Sequence, residues 1–385
     1  MANIFANKYR PKKLSDIVGQ EPIVTILKNS ISSNNLHHAY LFQGAYGCGK
    51  STMARILAAM INCEKGMTVD PCGKCKHCKA IFDSKHSDVQ ELDGASGGKI
   101  DEIRELKKTM YYAPISGARK KIYIIEEFQC LSSDAAESLL RIIEEPPRHV
   151  IFIFTTTEFN KMKSTIISRC QNHLFEKIYW SKINERLHHI CEKESIEAED
   201  EAIRVCSFLA NGSIRDALQN LEKLYEYAEN KKITEELART LFGVQDDNVY
   251  YKIFDCIIGK AGKPNLLEGF RIINKIFIEG KNIKSFLQGL EEHLRQLLMV
   301  NLSPKAVDIL SVTEEKKKRI LEEAKRFDIK EVNMILNQLS EIYRCLNYGL
   351  NIERLLDQWF INSVLYCHLG RKAKEGKIQN GKQSR

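Results

Sequence analysis

The stretch Ala39-Tyr40-Leu41-Phe42-Gln43-Gly44-Ala45-Tyr46-Gly47-Cys48-Gly49-Lys50-Ser51-Thr52 decides the fold. Ala39 to Phe42 is a short unbroken apolar run, the mark of a strand buried on both faces. Gly44 to Ser51 then matches GxxxxGK[ST] at every fixed position, and Thr52 to Met60 reads as the helix that follows. Glycines let backbone N–H groups approach phosphate oxygens, and a helix N-terminus favours negative charge. The loop is therefore a phosphate cradle, and Gly44 through Thr52 are candidates for holding ATP with Mg²⁺. Lys50 is expected on the β- and γ-phosphates and the Ser51 hydroxyl on the metal, with Thr52 in support.

Outward from this loop, two more apolar runs, Lys121-Ile-Tyr-Ile-Ile125 and Val150-Ile-Phe-Ile-Phe154, are separated by helical stretches. Short buried strands alternating with helices predict an α/β domain with a parallel, doubly wound sheet over residues 1–178. The first run ends in Glu126-Glu127. Phosphoryl transfer to water needs one acid on the metal's hydration shell and one to polarise the attacking water, so Glu126 is assigned to the metal and Glu127 to the general base. The second run ends in Thr155-Thr156-Thr157-Glu158, which places a polar side chain near the γ-phosphate.

After residue 179 the strand signals fade. Residues 183–240 read as short amphipathic helices broken at Asn211-Gly212-Ser213, and 243–370 as strongly helical. Within Ile283–Asn301, residues Phe286, Leu287, Leu290, Leu294, Leu297 and Leu298 fall at helical spacing, and Pro304 ends that helix or starts the next.

Twelve cysteines are present, of which Cys63, Cys72, Cys75 and Cys78 cluster. Two overlapping CxxC steps and a fourth thiol supply the closed set that a tetrahedral structural zinc needs. An iron–sulfur cluster also takes four thiolates, a redox CxxC leaves two thiols unexplained, and His77 is a substitute ligand; the reading favours zinc on four sulfurs.

Composition bounds the rest. The chain has 385 residues, 43% hydrophobic and 28% charged, and no run of about 18 uncharged apolar residues. The segment MANIFANKYRPKK has no apolar core of a secretory signal, so a cytoplasmic protein without membrane contact is expected. Of the net charge of +8, the segment 371–385 holds six Lys/Arg and one Glu, or +5, leaving +3 for the remainder. A basic, disordered tail is expected there, and global charge says little about DNA.

Together these pieces resemble the AAA+ clamp-loader family of bacterial DNA polymerase III, most closely its gamma/tau branch. Lys8-Tyr9-Arg10-Pro11-Lys-Lys-Leu-Ser-Asp-Ile-Val18-Gly-Gln20 is similar to the family's opening motif, which implies that Tyr9, Arg10, Pro11 and Val18 pack around adenine. His37 to Phe42 and Leu140-Arg-Ile-Ile-Glu-Glu-Pro-Pro147 resemble further family segments, and the four cysteines fit its zinc insertion. Ser168-Arg169-Cys170 resembles the SRC motif, implying that Arg169 is an arginine finger set against ATP held by the adjacent subunit. Gly212-Ser-Ile-Arg215-Asp216 resembles GSxRD, implying that Arg215 contacts the γ-phosphate from the lid of its own subunit. By the same likeness Thr157 is the sensor-1 residue. Two positions depart from the pattern: Glu126 stands for Asp, and Phe128-Gln129 for Val-His. In length the chain resembles the short gamma form rather than tau, whose extension reaches the polymerase and helicase.

The resemblance implies four segments: an AAA+ domain over 1–178 with a zinc module at 63–78, a helical lid over 179–242, an oligomerisation collar over 243–370, and the tail. The implied function is an ATPase that loads a sliding clamp onto primer–template DNA. Its partners would be other clamp-loader subunits in a hetero-oligomeric ring, including copies of itself. A non-catalytic scaffold resembling delta-prime is the rival, disfavoured by the intact Gly49-Lys50-Ser51. A helicase loader or branch-migration motor is a third reading, disfavoured by the cysteine insertion and the SRC motif.

Overall fold

A central parallel strand must hide both faces. Strand β1 (Ala39–Gly44) does so: Ala39 to Phe42 have no solvent exposure. In the computed structural model, which describes residues 4–97, 100–228, 232–244, 246–259, 263–310, 312, 314–346 and 351–382, four further strands join it. They are β2 (Val89–Asp93), β3 (Lys121–Glu126), β4 (Val150–Thr156) and β5 (Gln171–Phe175). All pairings are parallel, in the order β2-β3-β4-β1-β5. The three inner strands are the apolar runs visible in the sequence. The edges β2 and β5 are additional; β5 alternates between exposed and buried from Asn172 to Phe175, and β2 buries only Val89.

Successive side chains of a strand point to opposite faces, and each face of the sheet builds its own core. On one, Tyr40 and Phe42 of β1 meet Ile122, Ile124, Ile151 and Ile153 beneath Met53, Ile56, Leu57 and Met60 of the helix Lys50–Asn62. On the other, Leu41, Tyr123, Ile125, Phe152 and Phe154 pack with Ile103, Leu139 and Ile143. At about 1.5–3 kcal/mol for each large apolar side chain buried, these two layers fix the ends of β1, β3 and β4 where the glycine loop and the acids begin.

Three helices follow the sheet, Trp180–Glu194, Asp200–Leu209 and Ile214–Tyr227. The last starts at the break expected from sequence: Gly212 has φ 88°, and Ser213 caps the helix by accepting the Asp216 N–H at 3.2 Å.

The chain divides into two compact units, Met1–Glu235 and Glu236–Arg385. The division falls at the start of the helix Glu235–Phe242, which the sequence reading assigned to the lid. Among the described residues, every named element of the second unit is a helix. Its helix Ile283–Leu302 buries Phe286, Leu287, Leu290, Leu294 and Leu297 completely, with Leu298 partly covered. Pro304 opens the 3-10 segment Pro304–Ile309 that follows. His293 Nε2 and Glu323 Oε2, both buried, lie 2.9 Å apart without hydrogen-bond alignment, and the Trp359 indole donates to the Ile335 carbonyl at 3.1 Å. The helix Ile352–Lys382 runs into the segment expected to be a disordered basic tail. The side chains of 371–385 lie outside the described residues. Among the described residues no helix is long and apolar enough to cross a membrane.

Candidate nucleotide pocket and cysteine cluster

From β1 the chain turns into the helix Lys50–Asn62 through glycines that no other residue replaces without strain. At Gly44 (φ 145°) a Cβ would lie 2.1 Å from the Phe175 carbonyl oxygen, and at Gly47 (φ 75°) 1.9 Å from Ser213 Oγ. The loop is therefore pressed between β5 and the lid's capping serine. Gly49 caps the helix without a side chain, so the first-turn N–H groups receive no acceptor from the cap residue and face the cleft. Lys50, only 6% exposed, donates to the Gly44 and Ala45 carbonyls at 2.7 and 2.8 Å. Burial lowers its pKa, opposed by the negative charge of Glu127.

One cleft collects most of the candidates. Tyr9, Arg10, Pro11 and Val18 line one wall, Tyr46 through Thr52 the floor, Glu126 and Glu127 one end, and Arg215 the lid side. Gly44, Ala45 and Thr157 are not part of this lining. Arg186, Ile178, Ile214 and Leu218 also line it and were not anticipated. Arg186 donates to the Tyr9 carbonyl at 3.3 Å, while the Tyr9 hydroxyl donates to Glu194, tying the N-terminal wall to the helix Trp180–Glu194. Burial and Glu194 push the Tyr9 phenol up to about 12. Arg10, Lys50, Arg186 and Arg215 outnumber Asp16, Glu126 and Glu127 by four to three. Arg10 has its pKa lowered by burial first, then by Arg55 and Arg215. A cleft with this excess of cations under a glycine loop suits a polyanion, with the acids gathered where a metal ion would bridge.

At the end of β3, Glu127 adopts φ 44°, a left-handed conformation uncommon outside glycine. Side chains at the end of β4 hold it there. Its N–H donates to Thr155 Oγ1 at 3.4 Å, and its Oε2 accepts from Thr157 Oγ1 and from Gln129 Nε2, both at 2.7 Å. On the lid side, the Arg215 guanidinium lies 4.8 Å from the centre of the Tyr46 ring and donates to the Tyr46 hydroxyl at 2.5 Å.

Arg169 is elsewhere. It follows the short helix Ser164–Ile167, its side chain is 32% exposed, and it is absent from the lining of the cleft. Its guanidinium donates to the Thr165 carbonyl at 2.6 Å and pairs with Glu144.

The four clustered cysteines converge after the helix Lys50–Asn62. Their sulfurs lie within 4.8 Å of one another, with Cys72 and Cys78 at 4.0 Å. Zn–S bonds of about 2.3 Å place tetrahedral sulfurs about 3.8 Å apart, so the set fits. The Cys72, Cys75 and Cys78 N–H groups donate to the sulfurs of Cys63, Cys72 and Cys75 at 3.5, 3.3 and 3.4 Å. At Cys72 the Lys74 and Cys75 N–H groups hold the thiol down to about 6, whereas burial pushes the Cys78 thiol up. His77 is not a fifth candidate. Its Nδ1 faces His86 Nε2 at 2.8 Å, and His86 Nδ1 accepts the Asp88 N–H at 3.0 Å, which ties the module to the start of β2.

Three family models match this chain: DNA polymerase III, delta subunit, over residues 19–179; DNA polymerase III clamp loader subunit, ATPase lid domain, over 182–221; and DNA polymerase III subunits gamma and tau domain III, over 233–348. The DNA polymerase III subunit gamma of Buchnera aphidicola subsp. Schizaphis graminum is 32% identical over 358 residues, 92% of this chain and 97% of that one. The chain belongs to the gamma/tau family of DNA polymerase III clamp-loader subunits. The gamma subunit of Buchnera aphidicola subsp. Acyrthosiphon pisum is 38% identical over 273 residues, 71% of this chain and 74% of that one. The tau subunit of Salmonella typhimurium is 35% identical over 304 residues, 79% of this chain but 46% of its own length. The chain thus spans about half the length of several curated relatives that it matches. The gamma/tau family assignment agrees with the resemblance read from the glycine loop, the cysteines and the two arginine motifs.

Proposed function

We propose that this chain is an ATPase motor subunit of a DNA polymerase III clamp loader, which loads a sliding clamp onto primed DNA during replication. The observation that carries this reading is the division of charge. One cleft gathers Lys50, Ser51, Glu126, Glu127 and Arg215, whereas Arg169 sits on the surface outside it. A site complete for binding but lacking its own finger turns over only beside a neighbour.

The glycine loop and the first turn of the helix Lys50–Asn62 hold the phosphates, and Lys50 neutralises the β- and γ-oxygens. Ser51 and Glu126 would hold Mg²⁺, which would supply charge neutralisation on the transferred group. Glu126 is one methylene longer than aspartate, and its place at the C-terminal end of β3 leaves it at the cleft edge. Glu127 orients the attacking water and takes its proton. Thr157 holds Glu127 in place, and Arg215 closes on the γ-phosphate from the lid. Tyr9, Arg10, Pro11 and Val18 enclose the adenine.

ATP binding would draw copies of this chain and other clamp-loader subunits into a ring that opens the clamp and grips primer–template DNA, and hydrolysis would release both. The lid would comprise 179–242 and the collar that holds the ring 243–370. DNA contact would be mainly with phosphates, so affinity should fall steeply with salt. The expected site of action is the cytoplasm. ATPase assays of the assembled protein, with and without clamp and primed DNA, test the reading. Stimulation by both together is expected. A background rate with nucleotide still bound would replace the motor with a scaffold.

Cys63, Cys72, Cys75 and Cys78 would hold one structural zinc, whose charge keeps the four thiolates together and folds the loop 63–78. Metal analysis should find about one zinc per chain. Chelation should lower the melting temperature by several degrees, a loss of at least about 1 kcal/mol. A preparation with iron in place of zinc, or one whose melting is indifferent to chelator, would contradict this assignment.

A further inference from the structure

We infer that Gln129 is a positioning residue for Glu127, the link that fixes the carboxylate to the end of β4. The inference rests on Glu127 being the general base, as proposed above. Gln129 is where the sequence departs from the family pattern, and nothing in the nucleotide chemistry required it.

The carboxamide makes three contacts. Nε2 donates to Glu127 Oε2 at 2.7 Å and to Thr157 Oγ1 at 3.2 Å, while Oε1 accepts from Thr156 Oγ1 at 2.6 Å. The proton directions are consistent around the whole set. Thr157 passes its own hydrogen on to Glu127 Oε2 at 2.7 Å, and Thr156 accepts the Glu158 N–H at 3.1 Å. Thr156 is fully buried and Gln129 half-buried, so Gln129 is anchored from the rigid side and holds the carboxylate on the cleft side. Phe128, the neighbouring departure, is buried against Phe154 at a ring separation of 4.8 Å, which pins the backbone from which Gln129 reaches.

Glu127 has a backbone conformation that costs energy, and three rotatable bonds join its carboxyl group to the backbone. Thr157 alone gives it one side-chain donor, and Gln129 supplies the second on the same oxygen. With Oε2 occupied by both, Oε1 is the oxygen left to meet the water, which defines the direction of attack. Histidine, the residue that the family resemblance puts at this position, also presents one donor and one acceptor on atoms about 2.2 Å apart when neutral. The two side chains are therefore interchangeable for this bridge, and leucine is not.

Three variants of the full chain, assembled with its partner subunits, test the inference: Gln129→Leu, Gln129→His and Glu127→Gln, each measured for nucleotide affinity and for steady-state kcat and KM. Gln129→Leu is expected to lower kcat about 10²-fold, the scale of a misplaced catalytic group, with KM and nucleotide affinity within about twofold of wild type. Gln129→His should recover turnover to within about fivefold of wild type, since it keeps the contacts to Glu127 and Thr156 and gives up only the donation to Thr157. If Glu127→Gln turns over normally, the base assignment fails and the inference falls with it. If Glu127→Gln stops turnover while Gln129→Leu matches wild type, or raises KM alone, the positioning role is overturned by itself. A Gln129→His variant as slow as Gln129→Leu overturns it too.

Discussion

Replacing Arg169 by alanine is expected to leave ATP binding within about twofold of wild type and to cut kcat about 10³-fold or more, the worth of an arginine finger in phosphoryl transfer. The reason is positional. The residues that touch the cleft do so from the N-terminal segment, the glycine loop, the ends of the strands and the lid, and Arg169 belongs to none of these. Its guanidinium is engaged with Glu144 and the Thr165 carbonyl. Removing it therefore costs the chain's own binding site nothing. A guanidinium brought in from a neighbour, by contrast, faces charge that develops only as the phosphoryl group leaves, so its loss falls on kcat and not on affinity. Because the Glu144 pair is half-exposed, its loss should alter stability by no more than about 1 kcal/mol. Steady-state ATPase rates beside nucleotide titration of the same preparation check both parts. Weakened binding with an unchanged rate would place Arg169 in its own subunit's site.

Lys50→Ala is expected to abolish nucleotide binding in the working range, a weakening of about 10²-fold or more and at least about 3 kcal/mol. Lys50 is the deepest of the cleft's cations and is held by two carbonyls of the loop, so its ammonium is already aimed where phosphate oxygens come closest. Its loss removes that charge from a buried position, where it counts for more than it would in water. The measurement is the thermal shift on adding MgATP. A ligand at 100 times its Kd stabilises by about 2.7 kcal/mol, and this shift should be present in wild type and in Arg169→Ala and absent in Lys50→Ala. A shift of wild-type size in Lys50→Ala would remove the lysine from the phosphates.

What the sequence disclosed follows from how each element is buried. β1, β3 and β4 are covered on both faces and so appear as unbroken apolar runs. β5, Gln171-Asn-His-Leu-Phe175, buries only His173 and Phe175, and β2, Val89-Gln-Glu-Leu-Asp93, buries only Val89. As sheet edges they leave no such run and blend into loops. The glycine loop was legible because one contiguous segment carries its whole geometry. Arg186 was not. It lies 177 residues from Tyr9 in sequence, on a lid helix rich in charge, and only the fold brings it to the cleft wall. The carboxamide of Gln129 was visible as a departure, but its bond to Glu127 depends on β3 and β4 lying side by side, which no local spacing encodes. The pairing of Arg169 with Glu144 is of the same kind.

The claim that ATP held by one protomer is cleaved with the help of the next can be measured directly by mixing. Lys50→Ala chains cannot hold nucleotide but still present Arg169, and Arg169→Ala chains hold nucleotide but lack the finger. Rings assembled from both should regain a clear fraction of wild-type turnover, at interfaces where an intact loop meets an intact arginine, although each variant alone is inactive. Mixed rings no faster than either variant by itself would contradict the account.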